Sequence, residues 1–518
     1  MAQAAEERSA RRRSGGGRRA AEGAPGSVIP QLPWKQPRLR MKPVDLLSAD
    51  EIEQIHQAAL TVLEDIGMEI LLPEARDLLA GAGAIVEGEM VRIGREIVEA
   101  SIGLAPESFT VHARNPEHSF QMGGDAIVFT PVGGPPNCSD LDNGRRPGRL
   151  ADGERFFKLC QYFNCIHIAG PGVDASDVHA SIRHLKIAQA RILLTDKVGF
   201  TSATGRERLF DGIEMARISR GIDHEQLLKE PSCHTVVNTN SPLKLDGPMA
   251  MGIIEMARMG QVCVVTPFTL AGAMAPVTMA GALVQQNAEA LAGLAISQLA
   301  RPGAPFVYGG FTSNVDMKSG APAFGTPEYM KACLVGGQLA RRYKLPYRTS
   351  NTNAANSVDA QAAWESVFSL WGAIMGGGNL IAHGAGWMEG GLVASFEKFI
   401  VDIDLLQTIE EFLNPLDMDE DALGIEAMRE VGPGGHFFGC AHTMARYTSA
   451  FYSPVLSDWR NFEQWQAAGS PTAEQKANRV WKQAMDAYQQ PAIDPAIAEE
   501  LEAFVAHRIE QGGQPTDF

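Results

Sequence analysis

The chain has 518 residues, 45% of them hydrophobic, and a formal net charge of −16. That size and apolar content support a large buried core, and the acidic balance argues against a nucleic-acid surface. No run of 18 apolar residues is free of polar breaks, so no membrane span is expected.

The first 40 residues are rich in Arg, Gly, Ala and Pro with little to bury, which reads as a disordered basic arm. No apolar stretch follows the arginines as a signal peptide requires. Residues 41–125 read as a compact α+β cap. In it, Ser48 and Glu51 have capping-box spacing, and Ile52, Ile55, Ala59, Val62 and Leu63 recur on one helical face until Gly67 ends the helix. Helices are predicted over Pro73–Ala82 and Gly94–Ala100, with short strands or hairpins in Ala84–Ile93 and Ser108–Met122.

From 126 to 413 a strand, a polar loop and a helix repeat eight times, the rhythm of an α/β fold built as a (β/α)8 TIM barrel. The predicted strands are Ala126–Thr130, Ile166–Ala169, Val198–Ser202, His234–Asn238, Val262–Pro267, Pro305–Gly309, Leu345–Thr349 and Leu380–His383. The helices between and after them run over Asp152–Phe163, Val178–Leu193, Arg206–Ser219, Gly247–Met259, Met279–Leu299, Pro327–Tyr343, Ala360–Met375 and Phe396–Phe412. The loop after the first strand, PVGGPPNCSDLDNGRRPG, is too irregular for a simple βα turn and is expected to lie over the barrel top. Residues 414–518 form a C-terminal helical extension. Its middle is dense in aromatics and holds His436 and His442, and it is expected to pack on the barrel or on another subunit of a homo-oligomer.

Barrels of this class put their chemistry in the loops after the strands. Those loops hold the aromatics Phe200, Phe268, Tyr308, Phe311, Tyr347 and Trp387, and the neutral polar groups His234, Asn238, Asn240, Asn351, Asn353 and Gln361. Aromatic faces attract cations through the ring quadrupole, and quaternary ammonium groups are their usual ligands; each ring taken singly reads better as filling of the barrel mouth, whereas the group together favours a cationic or apolar ligand over a phosphate. Other chemistries find little support. No GxxxxGK[ST] or GxGxxG follows a strand, no HExxH occurs, and His179 and His184 have the wrong spacing for zinc, so no bound nucleotide or metal is expected. The seven cysteines, Cys138, Cys160, Cys165, Cys233, Cys263, Cys333 and Cys440, contain no CxxC and read as reduced thiols of a cytoplasmic protein. Lys318 reads as a solvated lysine, Asp316 as a candidate acid and Asp359 as a helix cap. Glu389 follows Trp387 in a glycine-rich loop and is expected to face a ligand.

Five blocks carry a resemblance: LSADEIEQIHQAALTVLEDIGMEI, ARNPEHSFQMGG, SNTNAANSVDAQAAWE, WMEGGLVASFEKFIVDIDLL and GGHFFGCAHTMARYTSAFYSPVLSDWRNFEQW. Together they resemble the trimethylamine methyltransferase superfamily over about residues 43 to 510. The resemblance implies a TIM barrel that moves a methyl group from a methylated amine to the Co(I) of a corrinoid carried by a partner protein. Archaeal members carry pyrrolysine within or beside the stretch corresponding to Asn353–Ser357. This chain has ordinary residues there, which puts trimethylamine itself in doubt and resembles members that demethylate glycine betaine, proline betaine or carnitine. By their position in the loops, and not by matching to family sites, the candidates are Glu389, Asn353 and Asn356 as catalytic residues. Tyr308, Phe311, Phe268, Tyr347 and Trp387 are expected around the ammonium, with Arg348, His234 and Asn351 as donors to a carboxylate. Three alternatives stand beside this one: a demethylase using tetrahydrofolate without a corrinoid, a barrel that binds quaternary amines without turnover, and a barrel lyase or aldolase that uses Lys318.

Overall fold

Prolines at 30, 33 and 37 keep the entering chain extended, and it buries Ile29, Leu32 and Leu39 against the body in the computed structural model, which describes residues 29–514. The Leu32 N–H donates to Gln407 Oε1 (3.1 Å) and Gln31 Nε2 to the Tyr162 carbonyl (3.0 Å). The stretch read as an unstructured arm is thus packed chain from residue 29 onward; residues 1–28 of that reading lie outside the described residues.

The predicted capping box opens helix α1 (Ala49–Thr61). The Ser48 hydroxyl accepts the Glu51 N–H and the Glu51 carboxylate accepts the Ser48 N–H. The helix buries Ile52, Ile55, Ala59 and Leu60, and a wider, π-helical turn, Val62–Ile66, carries it to Gly67. A hairpin of Ile85–Glu87 and Met90–Arg92 follows, joined by Met68–Ile70. A second hairpin, Ser108–Val111 with Phe120–Gly123, inserts Val111, Phe120 and Met122 into the apolar cluster formed by the main sheet.

That main sheet has seven parallel strands: β1 (Val128–Pro131), β2 (Gly199–Phe200), β3 (Cys233–Val237), β4 (Val262–Val265), β5 (Phe306–Gly309), β6 (Tyr347–Ser350) and β7 (Leu380–Ala385), in the spatial order β1-β7-β6-β5-β4-β3-β2. The eighth predicted strand, Ile166–Ala169, makes no ladder, and the reason is chemical. The buried Lys197 ammonium takes the Ile166 carbonyl (2.6 Å), together with those of Cys160 and Phe163. The His167 ring takes the Phe129 N–H (3.1 Å). Side chains thus occupy the groups a neighbouring strand would use. What remains are backbone bonds from His167 N–H to the Phe129 carbonyl and from Ala169 N–H to the Val198 carbonyl, both 3.0 Å. The fold is mixed α/β, a curved parallel sheet with helices outside it.

The layer of helices comprises α2 (Leu150–Tyr162), α3 (Ala180–Leu194), α4 (Arg206–Arg220), α5 (Gly247–Arg258), α6 (Met279–Ala300), α7 (Pro327–Tyr343), α8 (Ala360–Met375) and α9 (Phe396–Phe412). Helix α6 is buried along most of its length, because the sheet lies on one side and α1 on the other, so its alanines need no polar stripe. The irregular loop after β1 is in fact an antiparallel hairpin, Asn137–Asp140 with Gly144–Pro147, and it joins Val393–Ser395 and Trp387–Met388 in a small sheet. At the C-terminus α10 (Ala473–Ala487) lies on α9, with Trp481 against Phe396, and α11 (Pro495–Glu510) lies on α3 and α4, with Arg508 on Asp211. All seven cysteines are buried and unbridged. Among the described residues no helix is long and apolar enough to cross a membrane.

Candidate active site

Successive strand residues face opposite sides of a sheet, and this parity sorts the candidates. Val128, Val198, Val262, Val264, Val307 and Leu380 share one apolar cluster inside the curve of the sheet. Above it, at the C-terminal strand ends, lies a cavity of about 840 Å³. His234, Phe268, Phe311 and Arg348 line it, with Phe200, Asn238, Arg191 and His383.

Arg348 on β6 is 3% exposed. Its guanidinium lies over the Phe311 ring, 5.2 Å from the centroid, and its Nε and Nη1 have no hydrogen-bond partner. Burial lowers its pKa to about 10. Phe311 and Phe268 begin two paired parallel segments, Phe311–Val315 and Phe268–Ala271, that rise beyond β5 and β4; their rings lie 5.1 Å apart at 30°. His234 Nδ1 donates to the Gly199 carbonyl (3.0 Å), and burial brings its pKa down to about 4.

His383 was not singled out as a site residue, although it stands at the end of a predicted strand. It has φ +56° where β7 changes register against β1. A left-handed backbone is uncommon for a non-glycine residue and is often found at functional sites. Its ring stacks on Trp387 (5.2 Å, 15°), its Nδ1 is buried without a partner, and burial with the Arg348 charge holds it neutral. Trp387 stands one ring behind the cavity, edge-on to Phe311 (6.2 Å) and Phe324 (5.2 Å). Arg191, near the end of α3, is the second guanidinium missed; it was hidden in the apolar run ARILL. Its Nη groups donate to the Phe200 and Gly170 carbonyls, its Nε has no partner, and burial lowers its pKa to about 10.

Other candidates stand elsewhere. Tyr308 and Tyr347, expected around the ammonium, point outward into the helix layer because they have the opposite parity. The Tyr308 hydroxyl donates to Asn287 Oδ1 on α6 (2.9 Å) and the Tyr347 hydroxyl to the Cys333 carbonyl on α7 (3.1 Å). Asn351 is buried just past the end of β6, outside the cavity lining, and donates to the Gly384 carbonyl. Asn353 is spent on its own loop, donating to the Ala362 carbonyl and accepting the Ala355 N–H, while Asn356 faces solvent. Glu389 is paired with Arg145 of the hairpin (3.0 Å). The Glu389 and Asn353 loops do meet: Glu389 N–H donates to the Ala355 carbonyl and Gly390 N–H to that of Asn353. A buried carboxylate, Glu365, holds this junction by accepting the N–H groups of Ala354 and Ala355. Below it, the fully buried Lys398–Asp402 pair fixes the chain before Trp387, with Asp402 accepting the Gly386 N–H (2.9 Å).

The cavity wall is therefore cationic and aromatic. Among the described residues Asp174 is the single carboxylate lining it, and Arg183 pairs with it (2.9 Å).

A model of the family described as Trimethylamine methyltransferase (MTTB) matches residues 9–513. The chain belongs to the trimethylamine methyltransferase family. Among its relatives is the glycine betaine methyltransferase of Desulfitobacterium hafniense (strain Y51), 35% identical over 91% of this chain and 98% of that one. The trimethylamine methyltransferase of Methanosarcina barkeri is 28% identical over 89% and 94%. The crystal structure of the Methanosarcina barkeri monomethylamine methyltransferase aligns over 89% of each chain with a TM-score of 0.48 and 11% identity. Family membership makes the chain a methyltransferase, as its blocks of resemblance imply.

Proposed function

We propose that the chain takes a methyl group from a zwitterionic quaternary amine of the glycine betaine type and passes it to the Co(I) of a corrinoid on a partner protein. The observation that carries the substrate class is Arg348, a buried guanidinium that has two unpartnered nitrogens and no carboxylate beside it among the described residues. A ligand carboxylate completes it through charge-assisted hydrogen bonds. A trimethylammonium group attached to that carboxylate then lies along the Phe311–Phe268 rings, where the quadrupole attracts it. The relative's activity on glycine betaine agrees with this.

The acceptor is a second substrate, and the donor set fits it. A cobalt(I) corrinoid supplies a strong nucleophile, so no general base is required, and the cavity offers none among the described residues: Asp174 is ion-paired and burial leaves His234 and His383 weakly basic. What the chain's own residues do is hold the amine and exclude water, an effect of proximity. His383 Nδ1, backed by Trp387, is placed to meet the substrate's polar end. Glu389, Asn353 and Asn356 act on this reading through the shape of their loops.

We also read residues 166–169 as the eighth stave of a closed barrel, supported by its two backbone bonds to the neighbouring segments. Residues 41–125 are its cap, 126–413 the barrel and 414–518 the extension. Seven unbridged cysteines support a reducing, cytoplasmic setting.

The test is a thermal-shift series followed by Co(I)-cobalamin methylation. Glycine betaine, proline betaine or carnitine should stabilise the protein, whereas choline and dimethylglycine should not. Stabilisation by choline equal to that by the betaines removes Arg348 as the selective group. Turnover with free tetrahydrofolate alone replaces the corrinoid as acceptor.

A further inference from the structure

Between α9 and α10 the chain leaves the body as an arm, residues 416–462. Its return is pinned to its own chain: Leu456 is buried, and the N–H groups of Val455 and Leu456 donate to the Asp404 carboxylate (2.7 and 3.1 Å). Inside the arm, Asp421 binds Arg446 and its carbonyl accepts His442 Nε2. The arm thus has a defined shape, yet it buries little: Ala427, Cys440 and Leu456 are its buried apolar residues. Six of its large apolar side chains, Leu416, Phe438, Tyr447, Phe451, Trp459 and Phe462, are 64–87% exposed.

Monomeric proteins seldom expose apolar patches above a few hundred Å². Six side chains of this size expose on the order of 800 Å², about what one partner contributes to a standard stable interface. A second unpartnered surface lies on α8, where Trp364, Val367 and Trp371 recur along one stripe, continued by Phe412 of α9 edge-on to Trp371 (5.0 Å). Trp364 is 72% exposed with the arm of its own chain in place, so that arm does not cover it. Residues 1–28 contain no aromatic side chain and are unsuited to covering either surface.

We infer that the arm is an exchange element between two copies of this chain, each laying its aromatic face across the α8 stripe of the other. One chain supplies both halves of the contact, and reciprocal exchange closes on itself as an isologous pair. A corrinoid-carrying partner is the poorer occupant. It has to leave after each methyl transfer, whereas a second copy of this chain brings both the arm and the α8 stripe and covers the two surfaces at once. This inference goes beyond the proposed reaction and does not depend on it.

The experiment is light scattering on the full chain after size exclusion, at micromolar concentration. The expected mass is two chains or a multiple of two. Phe438→Asp with Phe451→Asp, and separately Trp364→Glu, should each weaken assembly at least tenfold. Because these side chains face solvent in one copy, far-UV circular dichroism should not change. A monomeric wild type, an odd-numbered assembly, or an assembly that survives the arm substitutions overturns the inference. Loss of assembly with the arm variant but not with Trp364→Glu overturns the exchange onto α8. Assembly only on adding the corrinoid protein assigns the arm to that partner and overturns it as well.

Discussion

Consider replacing Arg348 with methionine, which keeps much of its volume and removes its charge. In the free protein the guanidinium is held at about 10 instead of 12.5 by burial, with Nε and Nη1 unsatisfied. That shift corresponds to about 3 kcal/mol of disfavoured charge, and a buried charge without a partner is often replaced at a gain. Arg348→Met should therefore raise the midpoint of thermal unfolding in the absence of ligand. Binding should change in the opposite sense. A hydrogen bond to a charged group contributes about 1.5–3 kcal/mol, so betaine affinity should fall roughly tenfold to a hundredfold. Scanning fluorimetry reads the first effect and isothermal titration with glycine betaine the second. A variant less stable than wild type, with unchanged affinity, refutes the assignment, because it makes Arg348 a packing residue.

Three further expectations can be checked. Trp387→Ala removes the ring stacked on His383, and betaine affinity should fall several-fold with little change for ligands that bind away from β7; unchanged affinity by titration removes Trp387 from the site's support. Lys398→Met leaves Asp402 buried without its cation and should cost about 3–5 kcal/mol in urea unfolding; a loss below about 1 kcal/mol contradicts the pairing. Glu410 is buried with Oε1 unpartnered, and burial raises its carboxyl to about 8 against the pull of Lys35 and Lys197. Its folded pKa exceeds the ordinary 4.5, so the stability it contributes is full below 4.5 and is lost as pH rises toward 8. Glu410→Gln should stabilise the protein at pH 9 by up to a few kcal/mol and hardly at pH 5; an equal effect at both refutes the shift.

The elements were legible to a degree the site was not. Pro327–Tyr343, Ala360–Met375 and Phe396–Phe412 are helices with the bounds read from capping residues and spacing. The hairpin at 137–147 was missed although Asp142-Asn143-Gly144 is a turn signal. Strand parity was harder to see. Strands buried on both faces show no alternation of polar and apolar residues, so nothing in PYRTS tells which of Tyr347 and Arg348 looks inward. The neighbours decide it: Tyr347 finds the Cys333 carbonyl and Arg348 finds the cavity. His383 and Arg191 escaped notice because no spacing marks a lone cation or imidazole, and only the folded chain shows that His383 Nδ1 and Arg191 Nε find no partner among the described residues. The missing ladder at 166–169 depends on Lys197, some thirty residues away in sequence.

The alternation along β6 also bears on how such an enzyme is remade. Tyr347 and Arg348 are adjacent, one anchored to the scaffold and the other open to the ligand. Sliding the strand by a single residue would exchange their faces, bringing a phenol into the cavity and driving a guanidinium among helices. Insertions or deletions near Lys344 should thus be far less tolerated than replacement of Arg348 itself. The inward positions 234, 268, 311, 348 and 383 stand on a fixed frame, and because Phe311 touches Phe268, Arg348 and His383 a change of substrate is to be sought by rewriting those few side chains together.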